Sequence, residues 1–207
     1  VPASVGLPIP GVEVKLGESN ALLIRGPNVM MGYWNNPAAT AAIISSDGWL
    51  NSGDIASIDA QGHVTITGRL KEIIVLSTGE KIPPADMEAA ILRDPLFEQA
   101  MLIGEARSYL SVMVVLNTAH WQNVVSQYGL DASLNTDQQR QQVEEILLDK
   151  ITEQTSEFPG YAKIRRVALI QEPWNVENGL LTPTLKLKRA KVLEKYVREV
   201  ERLYAGH

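Results

Sequence analysis

The segment that decides the fold is Gly68–Pro84, which reads GRLKEIIVLSTGEKIPP. An apolar run stands between two basic residues and a glycine-containing turn, a pattern that predicts a strand leading into a hairpin. Arg69 and Lys71 are two positions apart, so on an extended chain they would share a side. Gly79 would let backbone or a ligand approach closely. On these residues alone, a surface hairpin with solvated charges explains the segment equally well.

Upstream of this segment the sequence is predicted to be β-rich. Residues 11–16 alternate apolar and polar side chains, as a strand with one buried face does, and residues 55–58 and 64–66 flank a hairpin turn. Asn36 and Pro37 begin a short helix between these strands, with Asn36 as its cap.

Downstream, strands and helices are mixed. Strands are predicted at residues 72–76, 100–103, 112–116 and 164–170, and helices at 84–92, 118–128, 136–155 and 187–204. The fold class is therefore α+β, with a β-rich N-terminal piece at 1–70 and a small α+β domain at 71–207. We expect their boundary near residues 69–71, with a short hinge and no flexible linker.

Composition removes several classes of function. The 207 residues carry a net charge of -5, which argues against a nucleic-acid partner, and they include no cysteine, which excludes disulfides and thiolate metal sites. The only histidines, His63, His120 and His207, are far apart, so no metal site is predicted.

Targeting patterns are also absent. No apolar run approaches the roughly 18–20 residues that cross a bilayer, and the first residues lack the pattern of a signal peptide. A cytoplasmic location is therefore expected. The chain begins with Val1 rather than methionine, which suggests an internal cut in a longer protein.

A second segment, GWLNSGD at residues 48–54, ends in an aspartate. The small residue and glycine before Asp54 predict a tight turn that exposes its carboxylate. Such a carboxylate can accept two hydrogen bonds from a ribose diol. The alternative is a turn aspartate that only satisfies its own backbone.

A third segment, LTPTLKLKRAK at residues 181–191, places four cationic side chains at the start of the last predicted helix. Positive charge there opposes the helix macrodipole, which is easier to understand if an anion binds at this end. A solvated basic helix start is the simpler alternative, and the acidic remainder of the chain argues against a nucleic-acid patch.

Together these segments resemble the C-terminal motif series of the adenylate-forming (AMP-binding) superfamily, which includes acyl-CoA synthetases, luciferases and peptide-synthetase adenylation domains. Residues 32–40, GYWNNPAAT, match that family's glycine-tyrosine-x-x-x-proline element, and residues 5–14 resemble the stretch before it. The matches occur in the family's order over nearly the whole chain.

The resemblance implies roles for the nucleotide side of the site. Asp54 matches the aspartate that holds the ribose hydroxyls, and Arg69 matches an arginine that also contacts the nucleotide. Lys186 matches the mobile lysine that reaches the carboxylate and the α-phosphate. Lys188 is the alternative, but Arg189 follows Lys186 at the family's spacing of three residues.

The resemblance also implies a hinge and a path for CoA. Lys71 takes the hinge position, about which the small C-terminal domain swings as a lid. Gly79 matches the glycine that lines the path of the pantetheine arm, and its neighbours Ser77 and Glu80 are assigned to the same path.

The resemblance also implies a substrate class, because the third segment differs from the common form of the superfamily. The common superfamily form has serine-glycine before the lysine, whereas here Thr184-Leu185 precedes Lys186. That form, and residues 72–80, resemble the long-chain fatty acyl-CoA synthetases. The implied reaction converts a fatty acid, ATP with Mg2+, and CoA into acyl-CoA, AMP and pyrophosphate. Acyl-AMP or aryl-CoA ligases, or a non-catalytic binding or regulatory module, are the alternatives.

Two family elements do not occur in the chain: the phosphate loop that ends in proline-lysine-glycine, and the element whose glutamate helps to bind magnesium. Both normally belong to a large N-terminal domain, which we expect to be a missing partner of this chain. We therefore expect the chain alone to be inactive and to self-associate. The resemblance leaves room for peripheral contact of the parent enzyme with a membrane.

Overall fold

The computed structural model describes residues 4–130 and 137–205. The chain divides into two compact units, Val1–Ile73 and Ile74–His207. Of the expectations above, those for His207, for residue 136 and for residues 1–3 lie outside the described residues.

The first unit is built on a four-stranded antiparallel sheet in the order β1-β2-β3-β4. Its strands are β1 (Glu13–Leu16), β2 (Ala21–Arg25), β3 (Leu50–Ile58) and β4 (Val64–Arg69), and its helix is α1 (Pro37–Ile43). The predicted hairpin between β3 and β4 and the predicted cap are confirmed, because Asn36 Oδ1 accepts the N–H of Ala39 at 3.0 Å. Leu22, Ala56 and Val64 form a small core.

The tight turn expected at residues 48–54 is wrong. β3 runs without interruption from Leu50 to Ile58, so Asp54 lies inside a strand. The pairing of β3 with β2 shifts register in this region, which is a β-bulge, and Gly53 adopts the φ of 76° that the bulge needs. The chain reverses earlier, where the N–H of Gly48 donates to the carbonyl of Ser45 at 2.9 Å.

The second unit combines two sheets and five helices among its described residues. β5 (Ile74–Val75) and β6 (Lys81–Ile82) form a hairpin, and β7 (Phe97–Ile103), β8 (Leu110–Leu116) and β9 (Ile164–Ile170) form a sheet in that order. β8 pairs antiparallel with β7 and parallel with β9. The helices are α2 (Pro84–Ile91), α3 (Thr118–Tyr128), α4 (Asp137–Gln154), α5 (Arg189–Lys195) and α6 (Val197–Tyr204).

The three-stranded sheet is covered on both faces. One face packs against α2, α3 and α4, and the other packs against the segment from Trp174 to Leu187 and against α5 and α6. Every residue of β8 is buried, which explains its continuous apolar run, since a strand covered on both sides has no polar face. The predicted α+β fold class is confirmed. None of the helices that the structure describes has the length and apolar character needed to cross a membrane.

Two predicted elements differ from the structure. The strand expected at residues 72–76 is reduced to Ile74–Val75, and Leu70–Glu72 forms a 3-10 turn. Arg69 and Lys71 therefore do not share one extended segment. The helix expected at residues 187–204 is two helices, α5 and α6, separated at Tyr196, whose φ of -108° is not helical.

Candidate functional site

Asp54 and Arg69 are brought together by the β3–β4 hairpin. They are Cα partners in the antiparallel register, and Nε of Arg69 donates to Oδ1 of Asp54 at 2.8 Å. The hydrogen bond raises the pKa of Arg69 above its ordinary value. Oδ2 of Asp54 has no hydrogen-bond donor within the part of the chain that the structure describes. A carboxylate held in this way keeps one oxygen able to accept hydrogen bonds from a hydroxyl.

Lys71 lies two residues beyond Arg69, within the 3-10 turn Leu70–Glu72. Its side chain is exposed. A short irregular turn between two strands is the kind of segment that can absorb changes in φ and ψ.

The β5–β6 hairpin carries Ser77, Gly79 and Glu80. Gly79 closes the turn, with its N–H donating to the carbonyl of Leu76 at 2.9 Å and with a φ of 96°. Nothing lies within 4 Å of the place where a Cβ of Gly79 would sit, so the turn presents an open backbone surface. The hydroxyl of Thr78 donates to the Glu80 carboxylate and lowers the pKa of that carboxyl.

The loop that joins β7 to β8 anchors this hairpin. The carboxylate of Glu105 accepts the N–H of Val75 at 3.0 Å, and the carbonyl of Arg107 accepts the N–H of Ser77 at 2.9 Å. The N–H of Ala106 donates to the carbonyl of Val75 at 2.8 Å. The hairpin is thus tied to the main sheet of the second unit.

Lys186 directly follows the turn Thr182–Leu185 of a small hairpin loop that precedes α5. Leu181 and Leu187 form the antiparallel bridge at the base of this loop, and both pack against the core on the α5–α6 face. The N–H of Thr182 donates to the carbonyl of Lys186 at 2.8 Å, and the N–H of Lys186 donates to Oγ1 of Thr182 at 3.0 Å. The Lys186 side chain is exposed, and it takes part in no ion pair among residues 4–130 and 137–205.

The arrangement of the basic cluster differs from the expectation. α5 begins at Arg189, with Lys188 as its cap residue, so Lys186 lies before the helix and not at its head. Arg189 is not available to an incoming anion, because its guanidinium donates to Glu88 at 2.6 Å and to the Leu102 carbonyl at 2.5 Å. The predicted basic cluster is therefore divided between the loop and the start of α5, and the anion site stays a prediction in which Arg189 takes no part.

The structure thus places the predicted site residues in three groups, with the predicted hinge Lys71 apart from them in the turn Leu70–Glu72. Asp54 and Arg69 form a pair in the first unit, whereas the Gly79 hairpin and the Lys186 loop belong to the second. Sequence reasoning missed Glu88 and Glu105, which hold two of these elements. Glu88 lies in a predicted helix and Glu105 lies between two predicted strands, and neither position identifies a partner.

A magnesium site does not fit the residues that the structure describes. Among them, no group of three or more histidine, aspartate or glutamate side chains is placed to hold a metal ion. We therefore assign no metal ligand to this chain.

The paired β3–β4 residues, the glycine hairpin and the lysine loop are arranged on an α+β frame of the kind found in the C-terminal part of adenylate-forming enzymes. The chain belongs to the AMP-binding enzyme C-terminal domain family, whose model matches residues 71–207.

Curated relatives of the chain are acyl-activating enzymes by name. It is 34% identical to a putative fatty-acid–CoA ligase of Mycobacterium tuberculosis over 98% of this chain and 36% of that protein. It is 33% identical to a probable chloroplastic acyl-activating enzyme of Arabidopsis thaliana over 97% of this chain and 31% of that protein. The chain spans about a third of the length of these relatives.

Solved structures agree in fold. The A domain of a carboxylic acid reductase from Segniliparus rugosus, determined with AMP and a co-purified carboxylic acid, superposes with a TM-score of 0.76 at 25% identity. That match covers 96% of this chain and 32% of the other. The A-PCP didomain of carboxylic acid reductase from the same organism, also with AMP, gives a TM-score of 0.73 at 27% identity.

Proposed function

We propose that the chain is the C-terminal part of an AMP-forming long-chain fatty acid–CoA ligase, and that Lys186 acts in its first half-reaction. The observation that carries the proposal is the exposed side chain of Lys186, which has no ion pair among the described residues and whose backbone is held by Thr182 in a loop with its base in the core. An amine presented in this way can be delivered to a ligand without first breaking an ion pair. The names of the curated relatives support the substrate class.

In the first half-reaction, a carboxylate oxygen of the fatty acid attacks the α-phosphorus of ATP. The bond from that phosphorus to the bridging oxygen breaks, and acyl-AMP and pyrophosphate form. Catalysis at phosphorus is largely positioning and neutralisation of charge. Lys186 supplies positive charge at the reacting oxygens, while Asp54 and Arg69 hold the ribose and nucleotide.

In the second half-reaction, the thiol of CoA attacks the acyl carbonyl carbon, AMP leaves, and the proton of the thiol is lost to solvent. Lys186 has no role in this step. We infer that residues 71–207 then turn about Lys71 as a lid, so that the Gly79 hairpin lines the path of the pantetheine arm. The open backbone surface at Gly79 supports this assignment.

The test separates the two half-reactions in the full-length protein that contains this chain. Lys186→Ala should lower the rate of acyl-AMP formation by roughly 100-fold or more, as removal of one transition-state contact commonly does. The same variant should form the thioester from supplied acyl-AMP at a normal rate. Lys188→Ala is the matched control, because it removes a second lysine two positions along the chain, beyond the bridge residue Leu187.

Three outcomes would contradict the proposal. Equal loss of both half-reactions in Lys186→Ala would remove its assigned role, and loss only in Lys188→Ala would move that role to the other lysine. If the full-length protein transfers the acyl group to an acyl carrier protein but not to CoA, CoA is not its acyl acceptor. This outcome is tested because one relative is named as a long-chain-fatty-acid–[acyl-carrier-protein] ligase.

A further inference from the structure

Arg189, the first residue of α5, is held more tightly than a surface arginine. Its Nη1 donates to Oε1 of Glu88 at 2.6 Å, and its Nη2 donates to the carbonyl of Leu102 at 2.5 Å. Oε1 of Glu88 also accepts the N–H of Leu102 at 2.7 Å. The three residues close a ring of hydrogen bonds that joins α2, β7 and the start of α5.

Burial makes this ring a stronger constraint than an ordinary surface pair. The side chains of Arg189 and Glu88 are 20% and 16% exposed, whereas those of the Arg93–Glu157 pair are 60% and 58% exposed. Ion pairs that remain in water contribute little, but loss of one partner from a desolvated pair leaves the other uncompensated. The planar guanidinium also fixes direction, because two of its nitrogens, Nη1 and Nη2, donate at once.

The ring determines where the Lys186 loop ends. Only Leu187 and Lys188 separate Lys186 from Arg189. Leu187 is bridged to Leu181, and the N–H of Lys188 donates to the carbonyl of Leu180 at 2.9 Å. The loop is thus fixed at its base by backbone pairing and immediately afterwards by the Arg189 side chain.

We propose that Glu88 is a positioning residue for Lys186, acting through Arg189. The inference rests on the proposed function of Lys186. Glu88 touches no reacting atom; it sets the register of α5 against β7 and thereby the place to which the loop delivers the lysine amine. A displacement of about 1 Å at a reacting centre can cost about 100-fold in rate.

The experiment uses Glu88→Gln, Glu88→Ala and Arg189→Lys in the full-length protein, with Glu157→Gln as the matched control. Glu157→Gln disturbs an Arg–Glu pair in the same unit that is exposed and shares no residue with the ring. We expect the three test variants to lower kcat for acyl-AMP formation by about 10- to 100-fold with little change in KM for ATP. Thioester formation from supplied acyl-AMP should stay within about twofold of normal. All assays are run well below the thermal midpoint of each variant. If Glu88→Ala does not fold, Glu88→Gln and Arg189→Lys still test the inference.

A second measurement separates positioning from a general structural role. In a Lys186→Ala background, Glu88→Gln should have no further effect on acyl-AMP formation, because the group that it positions is gone. A further loss in that background, or equal loss of both half-reactions, would overturn the inference.

The two proposals fail differently. If Lys186→Ala lowers acyl-AMP formation and the Glu88 and Arg189 variants do not, only the positioning role is wrong. If Lys186→Ala leaves acyl-AMP formation intact, the proposed function is wrong, and the role of Glu88 falls with it.

Discussion

Asp54 and Arg69 face each other across the β3–β4 hairpin, joined by a 2.8 Å hydrogen bond from Nε to Oδ1. Their side chains are 27% and 58% exposed, so the pair adds little to stability. It does fix two groups of opposite charge relative to each other before any ligand arrives. Groups ordered in advance lose less entropy on binding, which favours a role in recognition over a role in folding.

Asp54→Asn should raise the KM for ATP of the full-length protein by roughly 10- to 100-fold, because a hydrogen bond to a charged group contributes about 1.5–3 kcal/mol. Its free energy of unfolding should change by less than about 1 kcal/mol. Glu13→Gln is the matched control, since Glu13 and Arg25 are also cross-strand partners of the same sheet and are 2.8 Å apart. Steady-state kinetics with varied ATP concentration measures the KM. An unchanged KM in Asp54→Asn would mean that Asp54 only pairs with Arg69 and does not bind the nucleotide.

Lys71→Pro tests the hinge. Proline fixes φ near -65° and biases the preceding residue, Leu70, away from helical conformations, so the 3-10 turn Leu70–Glu72 should lose its freedom to rotate. We expect one half-reaction to fall at least about tenfold while the other is spared. Lys71→Ala, which removes the side chain but leaves the backbone free, is the control. Normal rates for both half-reactions in the proline variant would exclude a hinge at this position.

Periodicity in the sequence predicts the frame but not the contacts that build the site. Val143, Leu147 and Ile151 recur at helical spacing and are buried, as that spacing requires. A local sequence pattern predicts the wrong conformation where pairing with a neighbouring strand determines the backbone. Gly53 reads as a turn residue, yet a neighbouring strand makes it part of a bulge.

Long-range partners are also hidden from the sequence. Arg189 reads as one more cation in a basic run, yet a carboxylate 101 residues away holds it. No local pattern carries such information, because both residue types are common on the surfaces of helices.

Trp49 lies between two cations on one face of the first sheet. Nζ of Lys15 is 4.1 Å from the ring centroid and Cζ of Arg25 is 4.6 Å from it. Arg25→Ala should lower the free energy of unfolding slightly, because it removes both this cation–π contact and the exposed pair with Glu13. Glu13→Gln, which weakens only the exposed Arg25–Glu13 pair, should cost less. Urea denaturation followed by circular dichroism compares the two, and an equal or larger cost for Glu13→Gln would assign the stability to the ion pair.

Leu185 holds a backbone conformation that suits glycine better than leucine. Its φ is 60° and the residue is 72% exposed, so leucine gains little from burial there. A left-handed residue with a Cβ costs about 1–2 kcal/mol, whereas glycine gives up about 0.5–1 kcal/mol in chain entropy. Leu185→Gly should therefore be neutral or stabilising by up to about 1 kcal/mol, as measured by the thermal midpoint.

Leu185→Val provides the contrast, because a β-branched side chain fits this region of φ poorly, and it should destabilise by more than about 1 kcal/mol. The contrast is expected if the turn, and not the leucine side chain, presents the lysine amine. A Leu185→Gly variant less stable than Leu185→Val would mean that the leucine side chain, exposed or not, holds the loop. In that case the Thr182–Lys186 backbone pairing would not be sufficient to present the lysine.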